Sequence, residues 1–236
     1  YRINKAHREA QMKAEISKQL AGLEMKALLA QMNPHFTFNA INSIQNYILD
    51  NEVDAALTYL SDFSKIIRQT LENATKEFIT LENEIDYIER YLRLEQMRFD
   101  RQFSYQIITD EQPDPETTMI PPMIIQPYLE NAIKHGLRHK KGEGRLSVVF
   151  QIADDKKLLC IIEDNGIGRS ASAAINQQIQ KDHNSSGMTI TKNRIDALRK
   201  MYKSDMFTVQ VIDLFSQDKH PAGTRVKIVL PLSRPI

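Results

Sequence analysis

The sequence predicts an α+β protein in which a helical hairpin precedes a mixed β-sheet covered by helices on one face. Helix-forming residues recur at helical spacing through the first hundred of the 236 residues. Short segments rich in β-branched and aromatic residues follow, and helical segments lie between them. Strands that neighbour one another with helices interspersed are typical of a layered α+β domain. The length allows one or two domains.

Composition and charge exclude several classes of protein. The chain is 42% hydrophobic and 26% charged with a formal net charge of +1, so it has the balance of a soluble globular protein and no excess of cations for direct nucleic-acid binding. The single cysteine, Cys160, lies in the apolar run LLCII and is expected to be a buried strand residue in a reducing compartment.

The ends of the sequence carry a further expectation. The chain begins with Tyr1 in a charged helical pattern, so we expect a fragment of a longer protein whose membrane or sensor region lies upstream. No apolar run in this sequence approaches the roughly 20 residues of a membrane-spanning helix.

The first predicted element is a coiled-coil signalling helix over residues 1–25. Apolar residues continue its seam at alternating steps of four and three over about two heptads: Ile16, Leu20, Leu23, Ala27 and Ala30.

A helical hairpin is predicted over residues 26–76. Its first helix contains QMNPHFTFNAINSIQ at 31–45, and one face of its second helix carries Val53, Leu57, Leu60, Phe63, Ile67 and Leu71. Apolar stripes on both helices favour two hairpins pairing as a four-helix bundle, which predicts a homodimer.

The second domain is predicted over residues 77–236, with the boundary and a hinge near 74–80. A third helix, LENEIDYIERYLRLEQMRF, follows Thr80, whose side chain is expected to cap it. Two later segments are also helical by pattern: PPMIIQPYLENAIKHGL and TITKNRIDALRKMY. Five segments read as strands: FSYQII, RLSVVFQI, KLLCIIED, FTVQVIDL and TRVKIVL.

The segment EDNGIG follows the strand LLCII and is a candidate ligand site. Asp164 at a strand end can accept a hydrogen bond from an exocyclic amine, and Gly166 and Gly168 allow close backbone approach. Taken alone, this pattern is also an ordinary turn signal.

The segment ENAIKHG adds polar groups at helical spacing: Glu130, Asn131, Lys134 and His135. The amide oxygen of Asn131 suits Mg²⁺, and Lys134 can meet a phosphate, whereas the alternative is a solvated helix face. Downstream, Gly187 stands at the entrance of a helix, where unpaired N–H groups favour phosphate, and Gly223 and Thr224 form a turn into the last strand.

The order of ENAIKHG, EDNGIG, SSGM and GTRVKIVLP resembles the nucleotide-binding boxes of the GHKL (Bergerat) ATP-binding fold, shared by histidine kinases, gyrase-type ATPases and Hsp90. With QMNPHFTFNAINSIQ in a preceding helix, the sequence more closely resembles the LytS-like sensor histidine kinases, whose phosphoacceptor motif looks like QxNPHFLFNxLN. The resemblance spans roughly residues 26–232.

That resemblance implies an α/β-sandwich that binds ATP and Mg²⁺. It assigns adenine recognition to Asp164, magnesium to Asn131 and a lid to residues 169–186. It also implies that six residues line the phosphate or ribose: Lys134, His135, Gly166, Gly168, Gly187 and Thr224.

The same resemblance implies a phosphorelay. His35 would attack the γ-phosphoryl group of ATP and pass it to an aspartate on a response-regulator receiver protein, by analogy one with a LytTR-type output domain. The protein would be the cytoplasmic domain of an inner-membrane sensor. Glu130 is a candidate for charge or proton handling. Asn39, four residues after His35, could orient water in a phosphatase reaction or bond only the backbone freed by Pro34.

Two departures from the family pattern keep alternatives open. Thr189 replaces a second glycine of the third box, and Pro127 replaces the first asparagine of the first box, so magnesium would rely on Asn131 with Gln126 or Glu130 as helpers. The alternatives are a GHKL-fold ATP hydrolase and a degenerate dimeric signalling scaffold without catalysis.

The position of Pro34 allows the exposure of the His35 side chain to be predicted. Proline lacks an N–H and disfavours helical geometry at the preceding residue, so we expect the helix to bend just before His35 and expose its imidazole. Phe36 and Phe38 are expected to anchor the segment in the bundle.

Overall fold

A computed structural model describes residues 34–76, 78–99, 102–154, 157–179 and 207–232. The chain divides into two compact units, Tyr1–Thr75 and Lys76–Ile236, a division that falls within residues 74–80. The predicted domains 1–25, 26–76 and 77–236 remain predictions, because the coiled coil lies outside the described residues. The predicted helix TITKNRIDALRKMY, Gly187 and Thr189 lie outside them as well.

Two helices form the described part of the first unit, α1 (Pro34–Leu49) and α2 (Val53–Ala74). Pro34 stands at the first described position of α1, where a helix needs no backbone donor and the fixed φ of proline suits it. Ring contacts join the helices, with centroids 5.9 Å apart for Phe36 and Phe63 and 6.2 Å apart for Tyr47 and Tyr59. The predicted bend ahead of His35 concerns residues outside the described part.

Helix α2 has apolar residues on two sides, one buried within the chain and the other largely exposed. Ala56, Tyr59 and Ile66 are buried, whereas the predicted stripe is largely exposed at Val53, Leu57, Leu60 and Leu71. Both sets recur at steps of three and four, so each forms a continuous face.

The prediction that two phenylalanines anchor α1 is confirmed for one of them. Phe36 is buried, as expected. Phe38 is 68% exposed on this chain, because it lies away from the face that packs on α2. The expectation that Phe38 is anchored in the four-helix bundle stays a prediction, because it depends on a second copy of the hairpin.

The second unit begins with a short ladder that fixes the third helix. Strand β1 (Ile79–Thr80) pairs antiparallel with β3 (Met119–Ile120), and α3 (Leu81–Arg98) follows directly. The Thr80 hydroxyl accepts a hydrogen bond from the Asn83 N–H at 3.2 Å, so the predicted cap is confirmed. None of the described helices is long and apolar enough to cross a membrane.

A five-stranded mixed sheet forms the rest of the core. Its strands are β2 (Phe103–Thr109), β4 (Gly144–Asp154), β5 (Lys157–Asp164), β6 (Thr208–Phe215) and β7 (Pro221–Pro231). They lie in the order β2-β4-β5-β7-β6, with β2 parallel to β4 and the other pairs antiparallel. Residues at alternate positions are buried, as a sheet with one covered face requires: Leu146, Val148, Phe150, Leu158, Cys160, Ile162, Val226, Ile228 and Leu230. The predicted α+β class is confirmed.

Two helical predictions need correction. The segment expected to be one helix at 121–137 is a short α4 (Gln126–Asn131) continued by a π-helical turn (Ala132–Leu137). Met123 explains the late start, because its φ of +60° is outside right-handed helical geometry and the helix can begin only after it. The first part of the predicted polar lid is helix α5 (Gly168–Ile179), whose SASAA stretch contains alanines that favour helix.

Candidate functional site

Asp164, the last residue of β5, is the centre of the candidate site. Its ladder partners are Leu146 on β4 and Thr224 on β7, so it lies in the middle of the sheet at one end. The residue is 3% exposed, and its Oδ1 accepts a hydrogen bond from the Gly166 N–H at 2.8 Å. The folded sheet thus holds one carboxylate in a fixed orientation.

Burial sets the protonation of this carboxylate. The pKa of Asp164 is raised to about 6, because the effect of burial outweighs the lowering by the backbone N–H groups of Gly166 and Thr224 and by the charge of Lys140. The side chain is therefore mostly ionised at pH 7 and can accept hydrogen bonds from an amine, in accordance with the adenine role that the family resemblance implies.

Three glycines pack around Asp164 so closely that no side chain fits. A Cβ at Gly223, which has φ +136°, would lie 1.9 Å from the Asp164 carbonyl oxygen. A Cβ at Gly136 would lie 2.7 Å from Asp164 Oδ1, and one at Gly166 would lie 2.4 Å from the Gly136 carbonyl carbon. The π-helical turn, the loop after β5 and the start of β7 can meet at this point only because all three residues lack a side chain.

The loop after β5 is held by hydrogen bonds on both sides. The Asn165 N–H donates to the Arg145 carbonyl at 3.1 Å, and the Arg145 N–H donates to Asn165 Oδ1 at 2.7 Å. Lys140 Nζ donates to the Asn165 carbonyl at 2.6 Å, and the Ile167 N–H donates to the Gly136 carbonyl at 3.2 Å. The predicted ligand loop is therefore fastened to the π-helical turn and to β4.

An ion pair fastens the start of helix α5, the segment predicted as the beginning of a lid. The guanidinium of Arg169 donates to both carboxylate oxygens of Asp213 on β6, at 2.6 and 2.7 Å. Gly168, just before it, has φ +77°, and a Cβ there would lie 2.8 Å from Pro221 Cβ. The base of the segment is thus fixed on the sheet.

Glu130 and Asn131 lie at the end of α4. The Gln126 side-chain amide donates to Glu130 Oε1 at 2.9 Å, and the Tyr87 hydroxyl donates to Gln126 Oε1 at 2.9 Å. The amide nitrogen of Asn131 is buried and has no acceptor among the described residues. Asn131 can therefore serve a ligand, because its amide nitrogen has no acceptor to give up among the described residues.

The donor set fits a magnesium ion that arrives with a nucleotide. Among the described residues, no group of three or more histidine, cysteine or acidic side chains could hold a metal ion. Mg²⁺ in phosphate-transfer sites uses one or two protein oxygens together with water and phosphate oxygens. A half-turn of the Asn131 amide would present its oxygen in place of its nitrogen, and the neighbouring Glu130 supplies a carboxylate.

A buried acidic cluster lies close to Glu130. The pKa of Glu95 on α3 is raised to about 7, chiefly by burial; its ion-pair partner Arg98 opposes this rise, and the charge of Glu130 adds to it. Burial also raises the pKa of Tyr91, with contributions from Glu95 and Glu130. Helix α3 therefore supplies the electrostatic surroundings of Glu130.

The π-helical turn carries the other two predicted residues of this segment. Lys134 is exposed, and His135 is half-buried. Burial lowers the pKa of His135, with smaller contributions from its neighbours Lys134 and His139, and so favours the neutral imidazole. A neutral ring can donate or accept a hydrogen bond at a ribose or phosphate.

The predicted site residues thus fall into three groups. Asp164, Gly166, Gly168 and Thr224 gather at one end of the sheet, with Glu130, Asn131, Lys134 and His135 on the adjoining helical segment. Gly187 lies outside the described residues. His35 and Asn39 belong to α1 of the first unit, where Asn39 is half-buried.

Sequence analysis did not assign a role to several residues that shape this site. Gly136 was a signal, because a glycine inside a helical pattern costs about 1 kcal/mol relative to alanine and so needs a reason. Lys140, Asn165 and Tyr87 gave no such signal, because their partners come from distant parts of the chain.

Comparison with known proteins shows which sequences this chain resembles. A family described as "Histidine kinase" matches residues 23–103. The chain is 39% identical over 153 residues to the Sensor protein LytS of Staphylococcus haemolyticus, covering 64% of this chain and 25% of that protein. It is 32% identical over 222 residues to the Sensor protein LytS of Streptococcus agalactiae, covering 92% and 36%. The chain therefore spans only about a quarter to a third of the length of these relatives.

A solved structure, the histidine kinase domain from Erythrobacter litoralis EL346 blue-light activated histidine kinase, aligns with a TM-score of 0.47 at 16% identity, over 74% of this chain and 76% of that chain.

The sequence matches the histidine kinase family over residues 23–103, which include the helical hairpin and the start of the sheet unit. At 32–39% identity to several proteins named Sensor protein LytS, the sequence is LytS-like.

Proposed function

We propose that this chain is the kinase core of a sensor protein, which phosphorylates its own His35 with ATP and relays the phosphoryl group to an aspartate of a response-regulator receiver protein. The observation that carries the proposal is the corner around Asp164, where a fixed, buried carboxylate lies among three glycines. In a chain of this family, the Asp164 carboxylate can accept a hydrogen bond from the exocyclic amine of adenine. The surrounding glycines leave backbone that a nucleotide can approach closely.

The helical segment next to that corner suits the phosphates. Lys134 offers an exposed cation, the neutral ring of His135 offers a hydrogen bond, and Asn131 offers an unused amide. Mg²⁺, when bound with ATP, would neutralise the negative charge of the phosphates beside Asn131 and Glu130. The protein's own part is to align the γ-phosphoryl group and to exclude competing geometries.

His35 is the proposed nucleophile. A ring nitrogen of the neutral imidazole forms the new N–P bond, the bond from the γ-phosphorus to the bridging oxygen breaks, ADP leaves with that electron pair, and the imidazole loses its ring proton. Glu130 is the proposed group for handling charge or that proton. Because His35 and the ATP corner belong to different units, the reaction needs a hinge, for which residues 74–80 are the proposed segment.

The exposed apolar side of the hairpin supports a homodimer. Leu57 and Leu60 on α2 and Phe38 and Ile41 on α1 expose apolar area that a second copy could bury as a four-helix bundle. The membrane or sensor region upstream, the receiver with a LytTR-type output domain, and a phosphatase role for Asn39 belong to the same proposal and rest on the family resemblance.

Incubation with γ-labelled ATP and Mg²⁺ tests the proposal. We expect an acid-labile, base-stable label on the protein that is lost in His35→Gln and kept in the control His220→Gln, which changes an exposed histidine in the turn between β6 and β7. A label that survives His35→Gln would contradict the assignment. Phosphate release without labelled protein would favour the hydrolase, and failure to bind nucleotide would favour the scaffold.

A further inference from the structure

A chain of buried hydrogen bonds joins helix α3 to the acidic residue beside Asn131. Tyr87 on α3 is 2% exposed, and its hydroxyl donates to Gln126 Oε1 at 2.9 Å. Gln126, the first residue of α4, is 9% exposed, and its Nε2 donates to Glu130 Oε1 at 2.9 Å. Both contacts lie in the second unit, and they connect positions 39 and 4 residues apart in the sequence.

The donor and the acceptor in each of these hydrogen bonds follow from the chemistry of the side chains. The Gln126 amide nitrogen donates to a carboxylate oxygen of Glu130, and its oxygen accepts from the Tyr87 hydroxyl, so each atom of the amide meets a partner of the opposite kind. The sequence left open whether Gln126 helps to bind magnesium. With its oxygen directed to the Tyr87 hydroxyl and its nitrogen to Glu130, the Gln126 amide is committed to protein partners.

The backbone of α4 brings Gln126 and Glu130 together. The Tyr128 and Leu129 N–H groups both donate to the Ile125 carbonyl, so the turn forms although Pro127 has no donor. Gln126 and Glu130 are four residues apart and so share a helix face. Pro127 therefore lies in the first turn of α4, where the absence of its N–H removes no hydrogen bond that holds Gln126 or Glu130.

We propose that Gln126, itself held by Tyr87, is a positioning residue that fixes the carboxylate of Glu130 for phosphoryl transfer. This inference rests on the proposed kinase function and names a contributor to the same site. A glutamate carboxylate at the end of three rotatable bonds loses precision without a fixed partner, and misplacement of a reacting group by about 1 Å can cost about 100-fold in rate.

Replacement of the middle of the chain is the first test. Gln126→Met keeps the length of the side chain and removes both hydrogen bonds. We expect the turnover of His35 labelling at saturating ATP to fall about 10- to 100-fold, with the KM for ATP changed less than about threefold. Tyr87→Phe removes one oxygen only and should cost several-fold. Tyr105→Phe on β2, outside the hydrogen-bond chain, is the matched control and should stay within about twofold.

A double-mutant cycle separates positioning from a structural role. If Gln126 acts through Glu130, neither Gln126→Met nor Tyr87→Phe should reduce the rate further in a Glu130→Ala background. A further loss of the same size in that background would overturn the inference, and so would unchanged turnover in Gln126→Met. Tyr87→Phe keeps the test valid should Gln126→Met fail to fold.

The two proposals fail in distinguishable ways. If the wild-type chain binds ATP but never labels His35, the kinase function fails. If the wild type labels His35 and Glu130→Ala labels it equally fast, the kinase function stands and the positioning inference is overturned.

Discussion

The hairpin and the sheet unit differ in where they place their large apolar side chains. Ten such side chains are exposed among the described residues, and eight of them belong to the hairpin: Phe38, Ile41, Ile48, Leu49, Val53, Leu57, Leu60 and Leu71. The described residues of the larger sheet unit include only two, Ile108 and Phe215. The sheet unit satisfies its own core, whereas the hairpin leaves apolar area that needs a partner surface. Stability in one unit should therefore depend on close packing, and in the other on association.

Gly223→Ala should give the largest effect, because it attacks the packing of the sheet unit. The φ of +136° and a Cβ only 1.9 Å from the Asp164 carbonyl oxygen leave no position for a side chain. We expect the free energy of unfolding to fall by roughly 3 kcal/mol or more, measured by urea denaturation. Gly142→Ala is the matched control, since Gly142 also has positive φ (+93°) but nothing within 4 Å. It should cost only about 1 kcal/mol, and equal losses would contradict the close-packing argument.

Charges on the exposed stripe of α2 should come next and should act on association alone. Leu57→Glu with Leu60→Glu is expected to weaken the proposed dimer at least about 100-fold, or about 2.7 kcal/mol, in sedimentation equilibrium. Thr58→Glu with Ser61→Glu provides the control, because these exposed residues have the same spacing on the same helix. A dimer that tolerates the first pair as well as the second would show that the stripe is not the interface.

The pH dependence of nucleotide binding should be smaller and confined to the sheet unit. Because the pKa of Asp164 is about 6, its protonated fraction grows as the pH falls through 6, and the carboxylate loses its capacity to accept from an amine. The Kd for a non-hydrolysable ATP analogue should rise about tenfold from pH 7 to pH 5, measured by calorimetry. Asp164→Asn should bind weakly at both values with a ratio near one. Retention of the tenfold change in that variant would assign the titration to another group.

Loss of the cap on α3 should give the smallest effect. Thr80→Ala removes the acceptor for the Asn83 N–H and should lower the free energy of unfolding by about 1 kcal/mol. Thr58→Ala in the hairpin serves as control, because its hydroxyl bonds the Asp54 carbonyl within a helix already satisfied by backbone hydrogen bonds. That variant should change stability by less than about 0.5 kcal/mol in thermal denaturation. Equal losses of stability in the two variants would show that the Thr80 cap contributes no more than the Thr58 hydroxyl.

Local patterns allowed much of the fold to be predicted. The strand KLLCIIED was predicted over the residues that form β5, because a short run of apolar and β-branched residues bounded by turn residues is a signal that lies within the segment itself. Thr80 was predicted as a cap from its place before an amphipathic run. The packing side of α2 could not be predicted, because both of its sides carry apolar residues and only the contact with α1 distinguishes them.

The candidate site divides in the same way. Asp164, Gly166 and Thr224 belong to compact motifs, so their meeting at one corner follows from strand ends that lie side by side. The link from Tyr87 to Gln126 spans 39 positions, and no local pattern encodes it. The π-helical turn was also missed, since its geometry depends on Gly136 meeting Asp164 across the core.

The π-helical turn has a consequence for how this segment tolerates insertions and deletions. A π turn accommodates one residue more than an α turn, and here the Arg138 N–H donates to the Ile133 carbonyl five positions back at 2.9 Å. Removal of one residue between 132 and 137 would restore α geometry and rotate Asn131 by about 100° relative to Gly136. The chain length between these two residues is therefore under as much constraint as their identity, so a single-codon deletion here should abolish nucleotide binding while the sheet still forms.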